Sequence, residues 1–120
     1  MAKFSLLTFG IICILMSACL PFKTLNSTTY IKANDAFILG NNKHGVFRVT
    51  LTNDSPSELT LWKSPLAGGN HSPVTVQPKE TLKLTVEKNT ALRIENPSKE
   101  DATVKLRVKG DTGLSMGYKN

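Results

Sequence analysis

The sequence predicts an all-β domain, a small antiparallel β-sandwich of immunoglobulin-like or jelly-roll topology, and three observations carry that prediction. Apolar and polar residues alternate with period two in several runs, the spacing that sends successive side chains to opposite faces of a strand. Clusters of Gly, Pro, Asn, Asp and Ser separate those runs where a β-protein needs reversals. Downstream of the N-terminal apolar block no stretch carries the apolar repeat of a helix. A closed barrel is the alternative answer to the same pattern.

Size bounds the rest. A chain of 120 residues and 13.1 kDa, 40% hydrophobic and 20% charged, has room for one domain and excludes a multidomain enzyme. Its densest apolar block lies between Phe4 and Leu20, so the folding part is more polar than the average.

The first element is that block. Lys3 precedes an apolar stretch from Leu6 to Met16, and Ser17, Ala18 and Cys19 close it. One positive residue, a short apolar core and a small-residue exit predict a signal helix over residues 1–18. A spanning helix needs roughly 20 apolar residues, so the block is too short to cross a bilayer comfortably, and Pro21 stops it.

Met16-Ser17-Ala18-Cys19 resembles the lipobox of bacterial lipoprotein precursors, with Met16 where that family prefers Leu. The resemblance covers residues 1–19. It implies cleavage before Cys19, a lipid on the Cys19 sulfur and attachment to a membrane of the cell envelope. Leu20 after the cysteine, rather than an aspartate, implies the outer membrane where the organism has one. Cysteine usage agrees: Cys13 lies in the segment to be discarded, and no cysteine occurs from Leu20 to Asn120, so Cys19 has no disulfide partner in the folded part. Ordinary signal cleavage, with Cys19 lost or left as a free thiol, is the competing expectation. Several acyl chains would hold the protein firmly, since each buried methylene contributes about 0.8 kcal/mol.

Next comes a polar, aperiodic segment from Leu20 to Thr29, read as a tether. The expected organisation is therefore a signal peptide over 1–18, a lipidated cysteine and tether over 19–29, and a sandwich over 30–120. The net charge is +6 for the whole chain, and losing Lys3 with residues 1–18 leaves about +5.

In the sandwich region the clearest strands are Phe47-Val49-Leu51, Leu82-Leu84-Val86, Leu92-Ile94 and Val104-Leu106-Val108, each alternating with polar residues. Shorter candidates run over Tyr30–Lys32, Phe37–Leu39, Leu59–Lys63, Val74–Val76 and Leu114–Tyr118. Gly40-Asn41-Asn42, Asn53-Asp54-Ser55-Pro56, Gly68-Gly69-Asn70, Lys88-Asn89, Asn96-Pro97-Ser98 and Gly110-Asp111-Thr112-Gly113 supply the turns. About eight strands result, and two stacked antiparallel sheets bury their apolar faces. The inter-sheet cysteine pair of antibody domains is absent. The expected core is Phe37, Leu39, Phe47, Val49, Leu51, Leu59, Leu61, Val74, Val76, Leu82, Leu84, Val86, Leu92, Ile94, Val104, Leu106, Val108 and Met116.

Catalytic groups are scarce. His44 and His71 each sit in a Gly/Asn-rich turn with no Ser or carboxylate in a hydrolase arrangement, and Gly-x-Ser-x-Gly does not occur. The expectation is a protein that is not an enzyme and carries no cofactor. A blue-copper site needs a thiolate that the domain lacks, and nothing in the spacing of His44, His71 and Met116 asks for a metal. Gly68-Gly69 lacks the Lys-Ser or Lys-Thr of a nucleotide loop.

Two surface features remain as candidate contact sites. Lys105, Arg107 and Lys109 share the wet face of one strand, to be joined by Lys83 or Arg93 if their strands are neighbours and diluted by Glu87 and Glu95. The functional reading is an anion-binding face, and the plain reading is an exposed strand kept soluble, and protected from edge pairing, by lysines. The second feature is an irregular loop from Trp62 to Pro73, holding the sole tryptophan and His71. Trp62 there either stacks on a sugar or a partner's side chain, or anchors its own loop.

These observations lead to a lipid-anchored, non-enzymatic binding or assembly module of the bacterial cell envelope. Its expected partners are the membrane through Cys19 and an envelope protein or anionic glycan, with no nucleic acid. A soluble secreted carbohydrate- or protein-binding sandwich is the alternative. Asn26-Ser27-Thr28, Asn53-Asp54-Ser55 and Asn70-His71-Ser72 fit the N-glycosylation pattern, which has meaning only in a eukaryotic chain.

Overall fold

A computed structural model describes residues 23–120. The signal helix, Cys19 and the first tether residues lie outside them. Among the described residues nine strands follow in order: β1 Thr24–Ile31, β2 Ala36–Leu39, β3 Phe47–Asn53, β4 Leu59–Pro65, β5 His71–Val76, β6 Thr81–Val86, β7 Thr90–Glu95, β8 Ala102–Gly110 and β9 Met116–Tyr118. They form a four-stranded sheet in the order β1-β8-β3-β6 and a five-stranded sheet in the order β9-β2-β7-β4-β5. Every pairing is antiparallel.

The connectivity decides between the two expected topologies. β4 pairs with β5, β3 with β6, β2 with β7 and β1 with β8, a set of hairpins nested one inside the next. Rolling that nest so that β3 also meets β8 and β4 also meets β7 gives the jelly roll. β9 adds to the outer edge of β2. Among the described residues each sheet keeps two free edges, so the molecule is a sandwich rather than a closed barrel.

Period-two patterning explains the packing. Phe47, Val49 and Leu51 of β3 and Val104, Leu106 and Val108 of β8 point inward from one sheet, and meet Leu39, Leu59, Leu61, Leu92 and Ile94 from the other. Each such side chain contributes roughly 1.5–3 kcal/mol on burial. Leu82 and Leu84 are only partly buried because β6 is an edge strand.

Two expected core members belong to the surface. Val74 and Met116 are 38% and 46% exposed, because they sit on the edge strands β5 and β9, where no neighbouring strand covers one flank. Ile31, Ala36, Ala91 and Ala102 are buried and were not expected. Three are alanines, whose small side chains carry little periodic signal.

The tether is also corrected. β1 begins at Thr24 and runs in register with β8 from Thr24–Lys109 to Ile31–Ala102, so residues 24–29 are part of the domain. Only Leu20–Lys23 separate Cys19 from the first strand.

The strands run between two ends. One end carries the chain's entry to β1 and the loops 40–46, 66–70, 87–89 and 111–115; the other carries loops 32–35, 54–58, 77–80 and 96–101. Gly110 closes the first end. Its φ of +99° suits a residue without a side chain, and an added Cβ would stand 2.8 Å from the Val46 carbonyl oxygen and 3.2 Å from Phe47 Cα. Two buried asparagines close the other. Asn53 Nδ2 donates to the carbonyls of Ser57 at 2.9 Å and Val76 at 3.0 Å, while Asn96 Nδ2 donates to those of Ile31 at 3.0 Å and Glu100 at 2.7 Å. Asn53 is fully buried with its amide engaged, so the Asn53-Asp54-Ser55 acceptor is closed in the folded protein.

Candidate anion-binding face

Parity and register together assemble a cationic surface. On β8 the inward residues are Val104, Leu106 and Val108, which leaves Lys105, Arg107 and Lys109 exposed between them. β8 is central, flanked by β1 and β3, so its lysines do not guard an edge, and of the plain reading only the solubilising role is left.

Each cation heads a row across the sheet. Lys109 lies between Thr24 of β1 and Arg48 of β3, and Arg48 is opposite Thr85 of β6. Arg107 lies between Asn26 and Thr50, with Lys83 beyond. Lys105 lies between Thr28 and Thr52, and the Thr52 hydroxyl bonds that of Thr81 at 2.9 Å. Five exposed cations therefore share three rows with hydroxyls and one amide, and no carboxylate stands in those rows. Asp54, beyond the end of β3, approaches Lys105 at 3.9 Å. Two open hollows mark the face, about 400 Å³ beside Lys105 and Arg107 and about 490 Å³ between Arg48, Lys83 and Lys109.

The expected dilution by glutamates does not occur. Arg93 and Glu95 are on β7, in the other sheet, and Glu87 pairs with Lys63 at 3.3 Å. Lys83 joins the patch and Arg93 does not. Arg48 was not among the expected contact residues, although its place among the wet positions of β3 was visible. What the sequence could not supply was that β3 and β8 are neighbours.

Trp62 sits elsewhere and does something else. It lies on strand β4, opposite Arg93, on the outer side of the five-stranded sheet, so the expected loop from Trp62 to Pro73 is a hairpin with its turn at residues 66–70. A register shift between Leu61 and Lys63 leaves Trp62 without a partner on β5. Its indole Nε1 donates to Glu95 Oε1 at 2.9 Å, and Arg93 Nε donates to Glu95 Oε2 at 2.8 Å. Burial raises the Glu95 carboxyl, but the bonds from Arg93 and Trp62 with the Arg93 charge outweigh it and hold the group below its ordinary range. The half-buried Trp62, with its polar atom engaged, is a structural member of this trio rather than a free stacking platform.

The histidines separate in kind. His71, first residue of β5, is exposed and opposite Lys63, away from the cationic face. His44, expected in a surface turn, is buried: its Nε2 lies 2.8 Å from the Thr90 carbonyl and its ring packs edge-on against Phe47 at 5.1 Å. Nearby, the Gly45 and Gly113 amides donate to Asp111 and hold that carboxyl below its usual range. Among the described residues no three of His, Cys, Asp and Glu gather as a metal site would require.

No known protein family matches the chain, and no curated protein matches it as a relative. One further hollow, about 420 Å³, lies at the far end between Tyr30 and Tyr118, with Lys32, Asp35, Asp101 and Asn120 around it.

Proposed function

We propose that the protein is a lipid-anchored, non-enzymatic binding module of the bacterial cell envelope that receives an anionic partner on the outer face of its four-stranded sheet. The observation that carries the binding half is the grouping of Arg48, Lys83, Lys105, Arg107 and Lys109 in rows free of carboxylates. Like charges this close repel one another and add nothing to folding. An anionic partner offsets that repulsion, and the intervening Thr hydroxyls can donate to its oxygens. The anchoring half rests on Met16-Ser17-Ala18-Cys19 and on the lack of any cysteine after it.

Two measurements test the proposal. Intact mass of the protein recovered from bacterial membranes is expected to begin at Cys19 and include acyl chains, and Cys19→Ser is expected to remove them; an unacylated wild-type chain sinks the anchor. Retention on heparin, used as a generic polyanion, is expected to fall in the double variant Arg107→Glu/Lys109→Glu. Equal retention of both proteins sinks the cationic site.

A second reading, a soluble secreted carbohydrate-binding domain, draws support from the hollow flanked by the exposed rings of Tyr30 and Tyr118. Recovery of the mature protein wholly in the culture fluid would favour it.

A further inference from the structure

We infer that the cationic face rests on the anionic headgroups of the same bilayer that holds the lipid on Cys19, so that the domain is attached at two points and lies in one orientation. The inference rests on the proposal above and names the partner of its cationic face.

Reach is the first argument. Thr24 follows Cys19 by five residue steps, which span at most about 18 Å even fully extended. The domain cannot stand well clear of a surface to which Cys19 is fixed.

Place is the second. β1 is an edge strand of the four-stranded sheet, and Thr24, where the chain enters it, is opposite Lys109, which is opposite Arg48. The chain thus leaves the domain at a corner of the cationic face. The Arg107–Lys83 row lies two residues further along and the Lys105 row two beyond that, at about 6.7 Å per interval. All five cations fall within the distance the connecting segment can span.

Sign is the third. Of the 9 carboxylates, Asp35, Asp54, Glu58, Glu80, Glu100 and Asp101 lie in the loops at the opposite end. Those loops also hold Lys32, Lys79 and Lys99, so they carry a net charge of about −3, and a domain inverted on its connection would press that negative end toward an anionic surface. The outer face of the five-stranded sheet offers no rival, because its cation, Arg93, is already paired with Glu95.

Surface chemistry is the fourth. Attraction between basic residues and anionic lipid decays within a Debye length, about 8 Å in physiological salt, so the cations act only if the face lies close. Threonine hydroxyls and Asn26 fill the spaces between them, which suits contact with phosphate oxygens and not insertion among acyl chains. Tyr30, 65% exposed on the same side of β1, presents the amphipathic ring found at headgroup level. Retention belongs to the acyl chains; the cationic face sets the orientation and turns Trp62, Arg93 and Glu95 away from the bilayer.

The test uses the chain from residue 19 with Cys19→Ser, so that no acyl chain contributes. This chain contains every described strand and the described core, and a cooperative melting transition is the check that it folds. It is expected to sediment with vesicles of phosphatidylethanolamine containing one-third phosphatidylglycerol and to bind phosphatidylcholine vesicles at least about a hundredfold more weakly. Arg107→Glu/Lys109→Glu is expected to weaken the first interaction at least about thirtyfold with an unchanged melting temperature, and Lys79→Glu/Lys119→Glu at the far end to leave it unaltered. Equal binding to both vesicle types, or indifference to Arg107→Glu/Lys109→Glu, overturns the inference. Failure on anionic vesicles with heparin retained through the same residues overturns the membrane as partner but spares the cationic site for an anionic glycan. Failure on both removes the site altogether.

Discussion

Asn53 and Asn96 hold two different corners of the same end of the sandwich with the same pattern of bonds. Each side-chain oxygen accepts from the backbone amide of a serine two residues on, Ser55 or Ser98, at 3.1 Å, and from that serine's hydroxyl. The same hydroxyl proton is shared with the carbonyl two residues further on, Ser57 at 3.0 Å or Glu100 at 2.8 Å, in a three-centre arrangement. Each amide nitrogen returns to that same carbonyl and also to a strand beyond the loop, β5 for Asn53 and β1 for Asn96. Backbone groups that a chain reversal would leave bare inside the protein are thereby paired.

Replacing either asparagine by alanine takes a donor from a buried strand carbonyl, Val76 or Ile31, and the acceptor from a serine amide, Ser55 or Ser98. Asn53→Ala and Asn96→Ala are each expected to cost about 1–3 kcal/mol in urea unfolding, with no change in slope. Asn42→Ala, which removes bonds among exposed groups, is expected to cost well under 1 kcal/mol.

The strands of the core were legible because Phe47 to Leu51 and Val104 to Val108 put every inward position in an apolar residue. β1 was not, because its inward positions include Ser27 and Thr29. At the sheet edge those polar residues are tolerated: the two hydroxyls bond each other at 2.9 Å, and only Leu25 and Ile31 add apolar surface. Likewise the wet face of β8 could be read from alternation alone. The joining of Arg48 and Lys83 to it depends on long-range pairing, which period two does not encode.

Burial by neighbours on both flanks separates the true core from its apparent members. Phe47→Ala is expected to cost about 3–5 kcal/mol and Leu51→Ala about 2–5 kcal/mol. Val74→Ala and Met116→Ala, on edge strands, are expected to cost less than about 1 kcal/mol in the same assay.

Gly110 and Gly68 both have positive φ but differ in their surroundings, with no atom within 4 Å of a Cβ added at Gly68. Gly110→Ala is expected to cost about 3 kcal/mol, combining backbone strain with the clash on Val46, and Gly68→Ala about 1 kcal/mol from strain alone. Thermal melts of the two variants measure the difference.

The Trp62–Glu95–Arg93 trio gives a pH signature. Because the folded state holds the Glu95 carboxyl below its ordinary range, the unfolded chain binds more protons in mildly acid solution, and stability rises with pH there. The contribution is present at neutral pH and is lost as the pH falls through the folded-state value. Melting curves are therefore expected to favour wild type over Glu95→Gln at neutral pH and to converge in acid. Asp111, lowered by its two backbone bonds, adds a parallel acid loss common to both proteins. Trp62 fluorescence is expected to shift with pH in wild type only.

The nesting of the hairpins also sets an order in time. β4 and β5 meet across the turn at residues 66–70, but β1 is bordered by β8 alone, whose last residue is Gly110. A chain made from its N-terminus can close the inner pair early, whereas its first strand waits until nearly the whole sequence has emerged. Throughout that interval β1 is unpaired, so the chain ahead of Thr24 is not yet held against a finished domain.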